Sequence, residues 1–143
     1  MSAGEAIRIV PLGPGDDETV LAASGLFDSS PIEAWTARFL ERDGHHLLVA
    51  FDGERIVGFV TGVETTHPDK GTEMFLYELA VHPGHRRQGT GRALVEALRA
   101  LARMRGCYGM WVATDAGNDA ALATYRAAGA EPPEPCVTLT WTF

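Results

Sequence analysis

"ELAVHPGHRRQGTGRALVEAL" occupies residues 78–98. It leaves an apolar run, turns through His-Pro-Gly-His, and gathers Arg86, Arg87 and Arg92 around Gly89 and Gly91. It then becomes periodic. Leu94, Leu98 and Leu101, with Val95 and Ala102 beside them, form one apolar stripe at helical spacing, and Gly106 ends it. A strand that turns into a fresh helix offers unpaired N–H groups and the positive end of a helix dipole at the turn. Glycines let backbone approach a phosphate closely, and the arginines add charge. The stretch reads as a pyrophosphate cradle.

Two common phosphate motifs are excluded. Gly84 to Gly89 has the spacing of a P-loop, but Thr90 follows where a lysine is needed. Gly89-Thr90-Gly91 begins a GxGxxG fingerprint, but Leu94 stands at the third glycine.

Outward from this stretch, the apolar run 73–81 reads as a long strand, apolar on both faces and therefore central. Residues 45–51 and 55–63 flank an Asp-Gly turn and predict a hairpin. Ile7 to Pro11 predicts a short strand. Asp16 to Leu26 and Pro31 to Glu41 predict helices, the second with Ser30 as N-cap and proline at the first helical position. Residues 109–114 predict a strand, and Asn118 to Ala128 a short helix stopped by Gly129. "EPPEP" (131–135) is a loop before a last strand, 137–143, in which Val, Leu, Trp and Phe alternate with threonines. This order predicts an α/β mixed sheet, mostly antiparallel, with helices on both faces.

The 143 residues suit a single domain, and 45% hydrophobic content supplies a core. A net charge of −7 argues against nonspecific nucleic-acid binding and suits a cationic substrate or simple solubility. Two cysteines, Cys107 and Cys136, lack CxxC spacing, so a reduced, cytoplasmic setting is expected. No apolar run is long enough to span a bilayer, no signal-peptide pattern opens the chain, and no membrane partner is expected. The five histidines show no metal spacing, although His82 and His85 could pair; no metal is assigned. Trp35, Phe39, Trp111 and Trp141 read as core or pocket wall.

Arg86-x-x-Gly89-x-Gly91, preceded by "LAVHPGHR", resembles motif A of the GNAT superfamily of N-acetyltransferases. "NDAALATYRAAGA" (118–130) is similar to that superfamily's second signature. Within it, "VAFDGERIVG" (49–58), "LYELAV" (76–81), "HRRQG" (85–89) and "TDAGNDAA" (114–121) resemble the type I aminoglycoside 3-N-acetyltransferases, which carry an aspartate where this chain has Glu78. The segment after Gly129 matches that group poorly.

The resemblance implies a GNAT fold with splayed central strands, acetyl-CoA as cofactor, and acetyl transfer to a primary amine of a small cationic substrate, with aminoglycosides foremost. A polyamine, an amino acid or a protein N-terminus are other acceptors, and a non-catalytic acetyl-CoA sensor is the competing class. Glu78, a carboxylate among apolar neighbours, reads either as the general base or as half of an ion pair with Arg8 or Arg38. Tyr125 is implied as the acid that protonates the leaving thiolate, or is a core aromatic.

The backbone of Leu79, Ala80 and Val81 is implied to pair with pantetheine, where strands splay near Val81. Arg86, Arg87, Gln88, Gly89, Thr90, Gly91 and Arg92 are implied to hold the pyrophosphate, with Arg87 and Arg92 alternatively solvated. Asn118 reaches pantetheine or caps its helix. Glu64, Asp115 and Asp119 are candidate substrate anions or ordinary surface acids. Neither cysteine falls at the acetyl site, so direct transfer in a ternary complex is expected. A homodimer is a further possibility.

Overall fold

The computed structural model describes residues 6–143. Its elements follow the order β1 (Arg8–Leu12), α1 (Asp17–Ala22), α2 (Glu33–Glu41), β2 (His45–Asp52), β3 (Arg55–His67), β4 (Gly71–Val81), α3 (Thr90–Met104), β5 (Met110–Trp111) and α4 (Asp119–Ala127). Short 3-10 turns lie at Ser24–Leu26 and Pro83–His85. The five strands form one sheet in the order β1-β2-β3-β4-β5, antiparallel except for the parallel β4–β5 pair. The expected mixed α/β architecture is the observed one.

Both faces of the sheet are covered. On one face α3 sets Leu94, Val95, Leu98 and Ala102 against Leu48, Val57, Val60, Met74 and Leu76. On the other, α1 and α2 bring Val20 and Leu40 onto Leu47, Val49 and Phe59. The strands therefore bury side chains in two directions, which is why "FLYELAV" and "HLLVAF" lack simple alternation. The β2–β3 turn closes through Asp52 and Arg55 around Gly53, whose φ of 61° suits a glycine.

Several boundaries differ from expectation. The predicted helix over 16–26 breaks after Ala22 into a 3-10 turn. The second helix starts at Glu33 with Ile32 in the extended N-cap position, so Ser30 is not the cap. The strand expected at 109–114 pairs only at Met110 and Trp111. The largest correction is the tail. Residues 137–143 form no strand, because a strand exists only as part of a ladder and no strand among the described residues pairs with them. Val137, Leu139, Trp141 and Phe143 all lie exposed, so Trp141 is neither core nor pocket wall.

Leu98 is fully buried at the centre of the α3 contact, whereas Met104 is 84% exposed. Leu98→Ala is expected to cost about 2–5 kcal/mol through lost burial and the cavity left behind. Met104→Ala should stay within about 0.5 kcal/mol of the parent. Urea unfolding midpoints check both.

Candidate active site

Glu78 owes its direction to a defect in the ladder. Thr61 pairs with Glu78 but the next residue, Gly62, pairs with Leu76, leaving Tyr77 as an extra, exposed residue on β4. In a regular strand positions 76 and 78 share a face. The bulge reverses this: Leu76 joins the core beneath α3, and Glu78 faces the other side, lining a cavity of about 200 Å³ with Phe27, Ile32, Trp35, Phe39 and Leu47.

Thr61 anchors the bulge from both sides of its hydroxyl. Its oxygen accepts from the Glu78 backbone N–H at 3.0 Å, and its O–H donates to Glu78 Oε1 at 3.4 Å. Burial pushes the Glu78 carboxyl above the ordinary range; the Thr61 bond opposes this, and the charge of Asp28 adds to it. The ion-pair alternative is not what the structure contains. Arg8 lies over the Phe51 ring at 4.9 Å and Arg38 over Trp35 at 4.8 Å.

Beyond the bulge, β4 loses its second neighbour. β5 pairs only with Met74 and Phe75, so the Leu76–Val81 edge facing away from β3 carries no strand. The sheet splays here, and the backbone of Leu79, Ala80 and Val81 lies along the gap. At its far end comes the arginine-glycine turn. Gly89 is the left-handed N-cap of α3, with φ of 81°, and nothing lies within 4 Å of where its Cβ would be. Arg87 has a φ of 62°, a strained value for a side-chain-bearing residue. The first helical backbone bond runs from Ala93 N–H to the Gly89 carbonyl at 2.9 Å, leaving the N–H groups of Thr90 to Arg92 without helical partners. At Gly91 a Cβ would meet Thr124 Cγ2 at 3.3 Å, so this glycine seats α3 against α4. Arg86 Nε donates to the Val81 carbonyl at 3.2 Å, Gln88 Nε2 to the Gly84 carbonyl at 3.4 Å, and Arg92 Nε to Glu96 at 2.7 Å. The Thr90 hydroxyl is buried without a partner. Free amides, an open glycine and three basic side chains form a donor set that fits a phosphorylated cofactor.

Tyr125 stands on α4, half-buried against the α3 core, where burial raises its phenol. It borders a second cavity, of about 420 Å³, between β5, α3 and α4. Glu78 and Tyr125 thus occupy opposite faces of the sheet, on either side of the splay. The Asn118 Oδ1 caps α4 by accepting from the Ala121 N–H at 3.1 Å.

The candidate substrate acids do not gather at Glu78. Glu64 Oε2 meets His46 Nε2 at 2.6 Å and Arg105 Nε at 2.8 Å, and Arg105 also reaches Asp43 at 2.9 Å. Asp115 and Asp119 are exposed around the start of α4 and line neither cavity. His82 and His85 meet edge-on at 5.9 Å, but His82 accepts from the Gly84 N–H and His85 bonds Asp52 at 2.9 Å. No cluster of metal-ligating side chains occurs among the described residues. No helix among them is long and apolar enough to cross a membrane. Thr61, Asp28 and Ile32 escape a sequence reading because nothing in their local pattern announces that they converge on Glu78. Trp35 and Phe39 are the pocket wall that their aromatic character allowed.

Residues 17–130 match the model of the acetyltransferase (GNAT) family. The chain belongs to this family. Acetyl-CoA is the family's cofactor, in keeping with the free-amide turn and the splay.

A mycothiol acetyltransferase of Salinispora arenicola is 44% identical over 122 residues, covering 81% of this chain but only 37% of that protein. The chain therefore spans well under half the length of this curated relative. The ribosomal protein bS18-alanine N-acetyltransferase of Escherichia coli is 42% identical over 57 residues, covering 40% of this chain and 38% of that one. Among solved structures, an aminoglycoside acetyltransferase from an uncultured soil metagenomic sample, in complex with sisomicin, superposes with a TM-score of 0.88 at 24% identity and 96% coverage of both chains. A second aminoglycoside acetyltransferase of such origin gives 0.81 at 28% identity, covering 96% of this chain and all of that one.

The Glu64 cluster has a testable sign. Burial opposes ionisation of Glu64, but the bonds from His46 and Arg105 outweigh it and hold the carboxyl below its ordinary value. A depressed folded-state value stabilises the fold above the ordinary carboxylate range, and that stability is lost as pH falls through the folded value. Glu64→Gln should therefore destabilise the protein at neutral pH by about 1–2 kcal/mol. The deficit should shrink on acidification below the ordinary carboxylate range, as measured by urea unfolding across pH.

Proposed function

We propose that this GNAT-family chain, as a single domain over 1–143, is an acetyl-CoA-dependent N-acetyltransferase acting on a primary amine by direct transfer in a ternary complex. The observation that carries the reading is Glu78: a carboxylate of raised pKa, held by Thr61 at the floor of an apolar pocket, beside the unpaired edge of β4.

Acetyl-CoA supplies an acyl thioester to this arrangement. The backbone of Leu79, Ala80 and Val81 holds the pantetheine arm as an added strand would be held. The turn from Arg86 to Gly91, with Arg92, receives the pyrophosphate on its free N–H groups and guanidinium charge. Asn118 serves by capping α4, which carries Tyr125. Glu78 takes a proton from the acceptor ammonium, directly or through water, and the freed nitrogen attacks the thioester carbon. A carbon–nitrogen bond forms and the carbon–sulfur bond breaks. Tyr125 gives its proton to the departing sulfur and regains one from the nitrogen, which sheds its second proton as the amide forms.

No acyl-enzyme is needed. Burial, and then the charge of Glu64, push the Cys107 thiol up, making it a poor nucleophile, and Cys136 lies on the exposed tail.

For the acceptor, an aminoglycoside is supported by the resemblance of residues 49–58, 76–81, 85–89 and 114–121 and by the sisomicin held by one of the fold relatives. A second reading rests on the pocket itself. Phe27, Ile32, Trp35, Phe39 and Leu47 surround Glu78, and Glu64, Asp115 and Asp119 are not among the lining residues. Such walls favour a primary amine carried on a compact apolar body, with Asp28 as the nearby second carboxylate.

Release of CoA thiol should be followed with sisomicin, spermidine, phenethylamine, free amino acids and a peptide bearing N-terminal alanine. Fast release with one amine supports the proposal and selects the acceptor class. Acetyl-CoA binding without release for any amine would favour the sensor reading. Glu78→Gln is expected to lower kcat by about 100- to 10,000-fold with acetyl-CoA affinity retained. Because the base works deprotonated and its pKa is raised, kcat/KM should climb with pH through a value above the ordinary carboxylate range, and this limb should vanish in Glu78→Gln. Tyr125→Phe should lower kcat at least about 10-fold without changing acetyl-CoA affinity.

A further inference from the structure

On the reading of Arg86 to Arg92 as the pyrophosphate site, we propose that His85 and Asp52 are a positioning pair: their bond ties the arginine-glycine turn to the tip of the β2–β3 hairpin and holds the turn's amides ready for the pyrophosphate. Two stretches that the mechanism leaves idle thereby gain a role, His-Pro-Gly-His at 82–85 and the Asp-Gly turn at 52–53.

The turn is open and conformationally costly. Arg86, Arg87, Gln88 and Gly89 are all exposed. Arg87 and Gly89 have φ of 62° and 81°, and a left-handed arginine is unfavourable unless its surroundings hold it. Such a segment keeps one shape only when both its ends are fixed. At one end Thr90, the first residue of α3, is buried. At the other end stands His85, whose side chain is only 13% exposed although Gly84 and Arg86 on either side are exposed.

Hydrogen bonds single out the same residue. Backbone pairing holds the chain as far as His82, whose N–H donates to the Val57 carbonyl at 2.7 Å. His85 Nε2–H donates to Asp52 Oδ2 at 2.9 Å, crossing from the turn to the last residue of β2. Among the described residues, every other hydrogen bond of Pro83 to Gly89 stays within residues 81–93. Arg55 Nη2 lies 3.1 Å from His82 Nε2 but is not an equal tie. A neutral imidazole has one accepting nitrogen, and the Gly84 N–H donates to His82 Nδ1 at 3.1 Å.

Packing alone does not account for the imidazole. His85 Nδ1 is buried and has no partner among the described residues. A phenyl ring would fill the same space without a stranded nitrogen, so what histidine adds here is the Nε2–H. The pair acts through the amides that follow it, not on the reacting atoms. A donor array fixed before its ligand arrives loses less freedom on binding.

NMR titration of the full chain with CoA, and with pantetheine, which lacks the pyrophosphate, tests the pair. The parent should prefer CoA. Asp52→Ala and His85→Phe should each weaken CoA binding more than about 10-fold and leave pantetheine binding within about twofold of the parent's. Asp52→Asn keeps an accepting oxygen, and Asn-Gly turns as readily as Asp-Gly, so it should hold CoA within about threefold of the parent. Long-range proton–nitrogen spectra of the parent should show the His85 proton on Nε2. Equal loss of CoA and pantetheine in the variants would make the pair a general support of the fold and overturn the proposal. CoA affinity kept in both Asp52→Ala and His85→Phe, or a parent His85 protonated on Nδ1 alone, would overturn the tie while the preference for CoA over pantetheine stands. A parent that binds CoA and pantetheine alike would overturn the pyrophosphate reading, and the positioning pair with it.

Discussion

The hydroxyl of Thr61 and the backbone and carboxylate of Glu78 form the contact on which the site depends. A strand has two faces, and this sheet packs helices on both, so the carboxylate of Glu78 in the middle of β4 meets packed side chains whichever face it takes. The extra residue at Tyr77 resolves the conflict. It lets Leu76 stay under α3 while Glu78 turns to the α1–α2 side, where Thr61 supplies its nearest polar partner. Among the described residues, one hydrogen bond offsets the cost of withdrawing the carboxylate from water. That imbalance raises its proton affinity, and the neighbouring charge of Asp28 works in the same direction. A general base for an ammonium needs such a setting: charged often enough to accept a proton, and basic enough to take it.

The same strand supplies the rest of the site by what it lacks. After Phe75, β4 has no neighbour on the β5 side. Edge backbone left open in a sheet interior is a place for an extended ligand to be held by main-chain bonds. The turn that follows is built to keep its amides free. Gly89 takes a left-handed conformation, Arg87 accepts a positive φ, and the first turn of α3 begins with its N–H groups unspent. Opposed to these, the Glu64–Arg105–Asp43 cluster is satisfied internally. Glu64 is thus neutralised by cationic partners, whereas Glu78 sits among apolar side chains with a hydroxyl as its bonded partner.

Much of this was legible in residues read along the chain. The strand–turn–helix of 78–98 carries its own chemistry in order, because glycine, arginine and a helix start act through local backbone geometry. The helical stripe of α3 and the β2–β3 hairpin follow from periodicity and turn preference. Glu78 was marked by its isolation among apolar neighbours. Asn118 was open between two roles, and its carboxamide is engaged as a cap. The tail shows the opposite case. Its alternation is a true strand signal, but alternation specifies a face and not a partner, and the described residues provide no ladder for it. Glu64 likewise had the composition of a substrate anion, until His46 and Arg105, 18 and 41 residues distant, proved to be bonded to it.

The sequence by itself determined the type of most elements from β1 to α4, though not of the tail, the family to which the chain belongs, and the turn that fits a phosphorylated cofactor, since each rests on contacts among near neighbours. Tertiary structure alone decided which way Glu78 points, what surrounds it, which acids are already paired, and that the last seven residues leave the domain unpaired. These depend on ladder register and on residues far apart in the chain. A one-residue slip in pairing moves a side chain from one face of a sheet to the other, and no local pattern around Tyr77 records that slip.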